Sequence, residues 1–174
     1  MNRISVVIPV FNEEHNIRDT LNSIYNNTMK PFEIIVADGG SSDSTVDIIL
    51  SEFKDVILIN NEKKTAAAGR NVGIKKATGN IIAFTDGDCI VDQKWIESIN
   101  SFFEKYDIDG MRGKVCNAPP RNKIDKYWGE LAWEKLMFFG NEIIDIRDKD
   151  IRVVLVTANC AYTKKFLHQI KGFS

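Results

Sequence analysis

The chain has 174 residues, 44% of them hydrophobic and 27% charged, with a formal net charge of −1. That length and composition suit one globular domain with a sizeable core. The near-neutral charge excludes a global field that would draw in nucleic acid or an anionic membrane surface.

The opening MNRISVVIPVFNEE runs from a short apolar stretch into Asn and Glu. It reads as a strand rather than a leader peptide. The spacing predicts strands over residues 4–10, 32–38, 56–60 and 80–86, each short, apolar and rich in β-branched residues. Between them lie helical patterns. Residues 13–27 place Ile17, Leu21, Ile24 and Tyr25 on one face, with Asn12 as the expected N-cap. Residues 44–53 place Val46, Ile49, Leu50 and Phe53 together. Residues 65–78 form an alanine- and glycine-rich helix ended near Gly79, and residues 93–106 form a fourth helix. Apolar strands joined by amphipathic helices predict an α/β fold, a mainly parallel sheet covered on both faces. Ligands in such sheets bind at the carboxyl ends of the strands.

Beyond residue 109 the pattern is less regular. GMRGKVCN (110–117) is a weak strand, APP (118–120) a break, and residues 121–144 a long helix rich in Trp, Phe and Met. IRVVLVTANCAYT (151–163) returns to strand, and residues 164–174 begin a short helix. No repeat, linker or low-complexity tract divides the chain. The reading is one domain over 1–174, with a nucleotide-binding half (1–109) and a partial second half (110–174). No stretch approaches the ~18 apolar residues of a bilayer span. Cys89, Cys116 and Cys160 are odd in number and widely spaced. They suit a reducing compartment and neither a disulfide framework nor a zinc site. The expected location is the cytoplasm, including the cytoplasmic face of a membrane.

The chemistry concentrates at three strand ends: Pro9 to Glu13, Asp38-Gly39-Gly40-Ser41, and Asp86-Gly87-Asp88. Asp-Gly-Asp is good turn chemistry, with Asp88 as a turn cap. The alternative is a divalent cation held between carboxylate and phosphate, as hard cations are. Such a metal would offset the charge of two acids on one strand end. ADGGSSDST (37–45) lacks both the P-loop Lys-Ser/Thr and the GxGxxG spacing. The glycines there are expected to make a sharp turn that leaves the Asp38 carboxylate free, with Asp43 or Ser42 as helix caps. Arg70, on the small-residue helix, is either a surface charge or a phosphate clamp. His15 and His168 are isolated and read as structural or surface residues.

These stretches together resemble one family. VVIPVFNEEHNIRDTLNSI, EIIVADGGSSDSTVDII and AAAGRNVGIKKATGNIIAFTDGDC are similar, in order and spacing, to the large family-two inverting glycosyltransferases of GT-A fold. The resemblance is strong over residues 4–92 and resumes weakly at 157–174. It implies transfer of a sugar from a UDP- or GDP-linked donor to an acceptor, with inversion and with Mn²⁺ or Mg²⁺. It implies that Pro9, Phe11 and Glu13 line the nucleoside pocket and that Asp38 bonds the base. Arg70 would approach the base or diphosphate, Asp86 would sit near ribose and metal, and Asp88 would ligate the metal.

An inverting transfer also needs a general base. In the family it follows the Gly-Phe segment, and here it is expected beyond Ser174, so no catalytic residue is assigned. The chain is thus expected to be a fragment or truncated form that keeps the donor half-site. Two alternatives stand beside the transferase: a non-catalytic nucleotide-binding or assembly module, and a sugar-phosphate nucleotidyltransferase. The latter would place a glycine-rich basic loop after the first strand, where PVFNEEHN stands. Tyr127, Leu131, Trp133, Met137, Phe138 and Phe139 read first as core. Their alternative is a surface for a membrane, a second copy or a lipid-linked acceptor. The acceptor itself, whether glycan, lipid-linked or protein, is not legible.

Overall fold

The structure, a computed structural model, describes residues 1–115 and 157–173. The chain divides into two compact units, Met1–Gly113 with Thr157–Ser174, and Lys114–Val156. Of the second unit only Lys114 and Val115 fall within the described residues. The expected helix 121–144, the first part of the strand expected at 151–163, and Cys116 lie outside them.

The first unit is a six-stranded sheet flanked by helices. In chain order it contains β1 (Ile4–Val10), α1 (Ile17–Tyr25), β2 (Glu33–Asp38), α2 (Thr45–Glu52), β3 (Ile57–Asn60) and α3 (Ala66–Lys76). It continues with β4 (Ile81–Phe84), α4 (Trp95–Lys105), β5 (Gly110–Arg112), β6 (Cys160–Thr163) and α5 (Lys164–Gln169). The strand order is β3-β2-β1-β4-β6-β5. β1 to β4 are parallel, whereas β6 pairs antiparallel with both β4 and β5.

Strand alternation sorts the core onto two faces. Ile4, Val6, Ile8 and Val10 pack with Ile17, Leu21 and Ile24 of α1, Ile49 of α2, and Trp95, Ile96 and Ile99 of α4. Val7, Ile35, Ile82 and Phe84 pack on the other face with Ile74 of α3 and Leu167 of α5. Ile17, Leu21 and Ile24 are fully buried, each worth roughly 1.5–3 kcal/mol of transfer free energy. The chain steps outward from β1 to β3, then returns past β1 to β4. With right-handed crossovers, that reversal puts α3 on the face opposite α1 and α2. The switch point therefore lies between β1 and β4, where an open sheet of this kind forms its crevice.

Small residues let α3 press against the sheet, as its composition predicts. A Cβ on Gly73 would fall 2.3 Å from Val7 Cγ1, and one on Gly69 would fall 3.0 Å from Pro9 Cβ. Pro9 is tolerated in the central strand for a positional reason. The Val7 carbonyl accepts from Thr85 N–H at 3.4 Å, so alternate residues of β1 face β4. β4 pairs no further along β1 than Val7, and the missing N–H of Pro9 has no ladder to break.

Several expectations are corrected. α1 begins at Ile17 with Asn16 at its N-cap, and Asn12 does not cap it. Asn12 takes a left-handed φ of 56° and its Oδ1 accepts Ser42 N–H at 2.8 Å. Leu50 is 60% exposed, because α2 turns Thr45, Ile49 and Phe53 inward instead. In the described part of the strand expected over 151–163, only Cys160–Thr163 is strand. Thr157–Asn159 is a 3₁₀ turn in which Asn159 Oδ1 accepts the Trp95 indole N–H at 2.8 Å. Among the described residues, no helix is long and apolar enough to cross a membrane.

Candidate functional site at the sheet edge

The carboxyl ends of the parallel strands share one edge. Register pairs Val10 with Asp38 and Asp38 with Asn60, while Phe84 pairs with Val7. Asp86 and Asp88 follow Phe84 on the loop that leaves β4 at this edge. Gly87 lets that loop close on β1: a Cβ there would fall 2.9 Å from Val10 Cγ1 and 3.1 Å from Glu13 Cγ. Thr20 Oγ1 donates to the Gly87 carbonyl at 2.9 Å, and Cys89 N–H donates to the Asp86 carbonyl at 3.2 Å. The acidic loop is thus fixed against α1 and the end of β1.

Arg70 meets Asp86 across this edge. Its Nη2 lies 2.5 Å from Asp86 Oδ1. The arginine side chain is 8% exposed and the aspartate side chain 34%, so this is a half-sheltered ion pair and not the surface charge of an isolated arginine. Arg70 Nε has no hydrogen-bond partner among the described residues. Burial pushes the Asp86 carboxyl above its ordinary value, against the pull of Arg70, and the Asp88 charge adds to the push. Asp88 itself is exposed. Its Oδ1 receives a weak contact from Cys89 Sγ at 3.5 Å, not a backbone N–H, so Asp88 is not serving as a turn cap. Cys89 and Cys160 are free thiols. Burial and the neighbouring Asp88 push the Cys89 thiol to about 11, so it carries no thiolate at neutral pH.

Asp38 behaves differently, which corrects the expectation of a free carboxylate. It accepts Gly40 N–H at 3.0 Å, Ser41 N–H at 3.2 Å and Ser41 Oγ–H at 2.6 Å. It is 9% exposed. The turn that Gly40 makes possible, at φ 85°, folds those donors back onto the acid.

The loops after β1 and β2 are laced together by contacts that no single motif announced. Asn12 N–H donates to Ser41 Oγ at 2.9 Å, Glu13 N–H to Thr45 Oγ1 at 2.7 Å and Glu14 N–H to Asp43 Oδ2 at 3.0 Å. Ser44 N–H returns to Glu14 Oε2 at 3.0 Å. Asp43 also accepts Thr45 N–H at 3.0 Å, but the N-cap of α2 is Ser44, without a side-chain cap bond, so neither Asp43 nor Ser42 is the expected cap. Phe11 stays 54% exposed beside Gly39, whose Cβ would lie 3.6 Å from Phe11 Cβ. Pro9, Phe11, Glu13, Asp38, Arg70, Asp86 and Asp88 therefore all lie at or beneath one edge. His15 and His168 are exposed. A groove of about 600 Å³ beside α3, whose lining includes Asn60, Lys63, Asn71, Lys75 and His168, contains none of Asp38, Asp86 and Asp88.

Asp86 and Asp88 fit a divalent cation by their chemistry. They are hard oxygen donors on one loop, one of them exposed, with Asp88 making no competing backbone bond. Among the described residues, no cluster of three or more His, Cys, Asp or Glu could hold a metal. A cation here would complete its shell with water and ligand oxygens, as Mg²⁺ and Mn²⁺ do beside phosphates.

Residues 5–170 match the model of glycosyl transferase family 2. Glycosyltransferase AglE of Haloferax volcanii is 38% identical over 119 residues, 64% of this chain and 39% of the relative. The UDP-Glc:alpha-D-GlcNAc-diphosphoundecaprenol beta-1,3-glucosyltransferase WfgD of Escherichia coli is 36% identical over 113 residues, 63% of this chain and 44% of the relative. The chain thus matches less than half the length of either. Residues 1–349 of S. aureus TarS in complex with UDP superimpose with a TM-score of 0.71 at 20% identity, covering 98% of this chain and 49% of that one. The mannosyltransferase PcManGT of Pyrobaculum calidifontis, in complex with GDP-Man and Mn²⁺, gives a TM-score of 0.70 at 19% identity, covering 99% and 48%. At such identities the likeness speaks for the fold.

Proposed function

The chain belongs to glycosyl transferase family 2, and from that premise we propose that its sheet edge binds the nucleotide-diphosphate sugar of an inverting, metal-dependent glycosyl transfer. The observation that carries this reading is the division of labour on the acidic loop: Arg70 holds Asp86, and Asp88 stays exposed beside it. Residues 1–109 form the donor half in this reading, and 110–174 form part of the acceptor half.

Pro9, Phe11 and Glu13 line the nucleoside pocket. Asp38 presents its turn to a uracil or guanine base. Asp86 would lie near the ribose and the metal, Asp88 would ligate the metal, and Arg70, paired with Asp86, would hold that carboxylate in place toward the diphosphate. Bound Mn²⁺ or Mg²⁺ supplies Lewis-acid stabilisation of the charge that develops on the leaving diphosphate. In the transfer, an acceptor hydroxyl oxygen bonds to the anomeric carbon as the bond to the β-phosphate oxygen breaks. The hydroxyl proton passes to a general base that the described residues do not assign. UDP and GDP donors both fit this reading, since the structural neighbours include one complex with UDP and one with GDP-Man.

The test is calorimetric titration with UDP and with GDP, with and without Mn²⁺. Binding of one nucleotide that requires Mn²⁺ and weakens about 10- to 100-fold in Asp88→Ala supports the reading. Absence of binding by either nucleotide with Mn²⁺ present overturns it.

A further inference from the structure

α3 carries a second polar residue next to Arg70. Asn71 Nδ2 donates to the Phe173 carbonyl at 2.7 Å, and Phe173 N–H donates to Asn71 Oδ1 at 2.8 Å. One side-chain amide thus satisfies both backbone groups of one residue, as an adjoining strand would. The clasp demands glycine at position 172. Gly172 has φ 80°, and a Cβ there would fall 2.2 Å from Asn71 Oδ1. Held this way, the Phe173 ring meets Phe84 edge-on, with centroids 5.2 Å apart and planes at 81°. Phe84 is the last residue of β4, and Asp86 follows two residues later. Its register partner Cys160 is buried beside it. Phe84, Cys160 and Tyr162 share an apolar cluster against which Phe173 packs, and the cluster reaches the end of the strand from which the Asp86 loop leaves.

We propose that Asn71 is a positioning residue of the donor site: by clasping Phe173 it closes the apolar cluster at the end of β4 and holds Asp86 in its binding geometry. The inference rests on the donor-site reading above. Neither Asn71 nor Phe173 touches the ligand in this account. Both act through Arg70 and Asp86.

The experiment is Mn²⁺-dependent UDP titration, with GDP in a parallel arm, on the 174-residue chain and four variants, each checked by thermal melting. The variants are Asn71→Ala, Phe173→Leu, Arg70→Ala and the Asn71→Ala/Arg70→Ala double. Asn71→Ala is expected to weaken nucleotide affinity about 10-fold, in the range of second-shell effects. In the Arg70→Ala background the same change is expected to add under about 2-fold, because residues acting through one aspartate are not additive. A purely structural role would lower the melting temperature and leave that coupling at zero. Phe173→Leu keeps both backbone bonds, so it reads the cluster even if Asn71→Ala fails to fold, and a few-fold loss is expected. Unchanged affinity in Asn71→Ala or in a folded Phe173→Leu overturns the inference alone, as does an additive loss with Arg70→Ala. A wild-type chain that binds neither nucleotide overturns the donor-site reading and this inference with it.

Discussion

The ends of β2 and β4 each carry an acid onto the same sheet edge, and the fold treats them in opposite ways. Asp38, 9% exposed, is enclosed by Gly40 and Ser41 of its own turn. Asp86 takes one cation from α3 and keeps a third of its side chain in solvent, and Asp88 is exposed outright. A carboxylate whose lone pairs are filled by adjacent backbone N–H groups holds a loop in shape. One that leaves oxygens open, beside a second acid, is unstable in charge until something positive arrives. The difference follows from the loops. The Gly39-Gly40 turn curls back onto Asp38, whereas Gly87 packs down against Val10 and Glu13, with Asp86 reaching Arg70 and Asp88 left exposed.

Substitutions at the acids should separate the two ends. The largest effect is expected at Asp88. Asp88→Ala should cost about 10- to 100-fold in Mn²⁺-dependent nucleotide affinity. Its stability in urea should stay within about 0.5 kcal/mol of wild type, because an exposed acid is removed. Asp38→Ala should do the reverse in stability, losing about 2 kcal/mol as Gly40 and Ser41 lose their acceptor. A stable Asp38→Ala would break the contrast. Asp86→Asn lies between, with an expected loss of about 1–2 kcal/mol on denaturation as Arg70 loses its counter-charge, reduced from the buried-pair value by partial exposure.

The smallest effect is expected at Glu33, a fourth acid, which serves the fold at the opposite end of β2. Its Oε1 accepts Ser5 Oγ–H at 2.6 Å, Thr78 N–H at 2.6 Å and Thr78 Oγ1–H at 3.0 Å. Burial pushes this carboxyl up, but hydrogen bonds from Ser5, Thr78 and Gly79 outweigh burial and hold it below its ordinary 4.5. The ionised form is therefore the stabilising one. Its contribution is present above pH 4.5 and is lost as pH falls through the lower folded value. Glu33→Gln should cost about 1 kcal/mol at neutral pH. The gap from wild type should close under acid in paired urea titrations. A gap that persists unchanged to low pH would show that packing, not charge, sets the effect.

Much of this molecule was legible from local pattern. The order of strands and helices through α4, the buried face of α1, the small-residue contact face of α3 and the acids at three strand ends all follow from periodicity and backbone sterics. Those act within a few residues of chain and need no knowledge of the fold. What the chain could not announce were partners far apart in sequence. Arg70 and Asp86 are 16 positions apart, and Asn71 and Phe173 are 102 apart. Leu50 fits a helical stripe yet faces solvent, because the sheet meets α2 along Thr45 and Ile49. Asn12 suits a helix cap by type, yet a left-handed backbone commits its side chain to Ser42. Asp38 looked free because its turn donors lie only two and three residues on, and whether they fold back depends on the φ that Gly40 adopts. β6 follows β5 in the chain but is inserted between β4 and β5 in the sheet. Local rules set which segments are strands and helices. The long-range hydrogen bonds and ion pairs that fill each side chain's remaining valences exist only once the crossovers have brought those segments together.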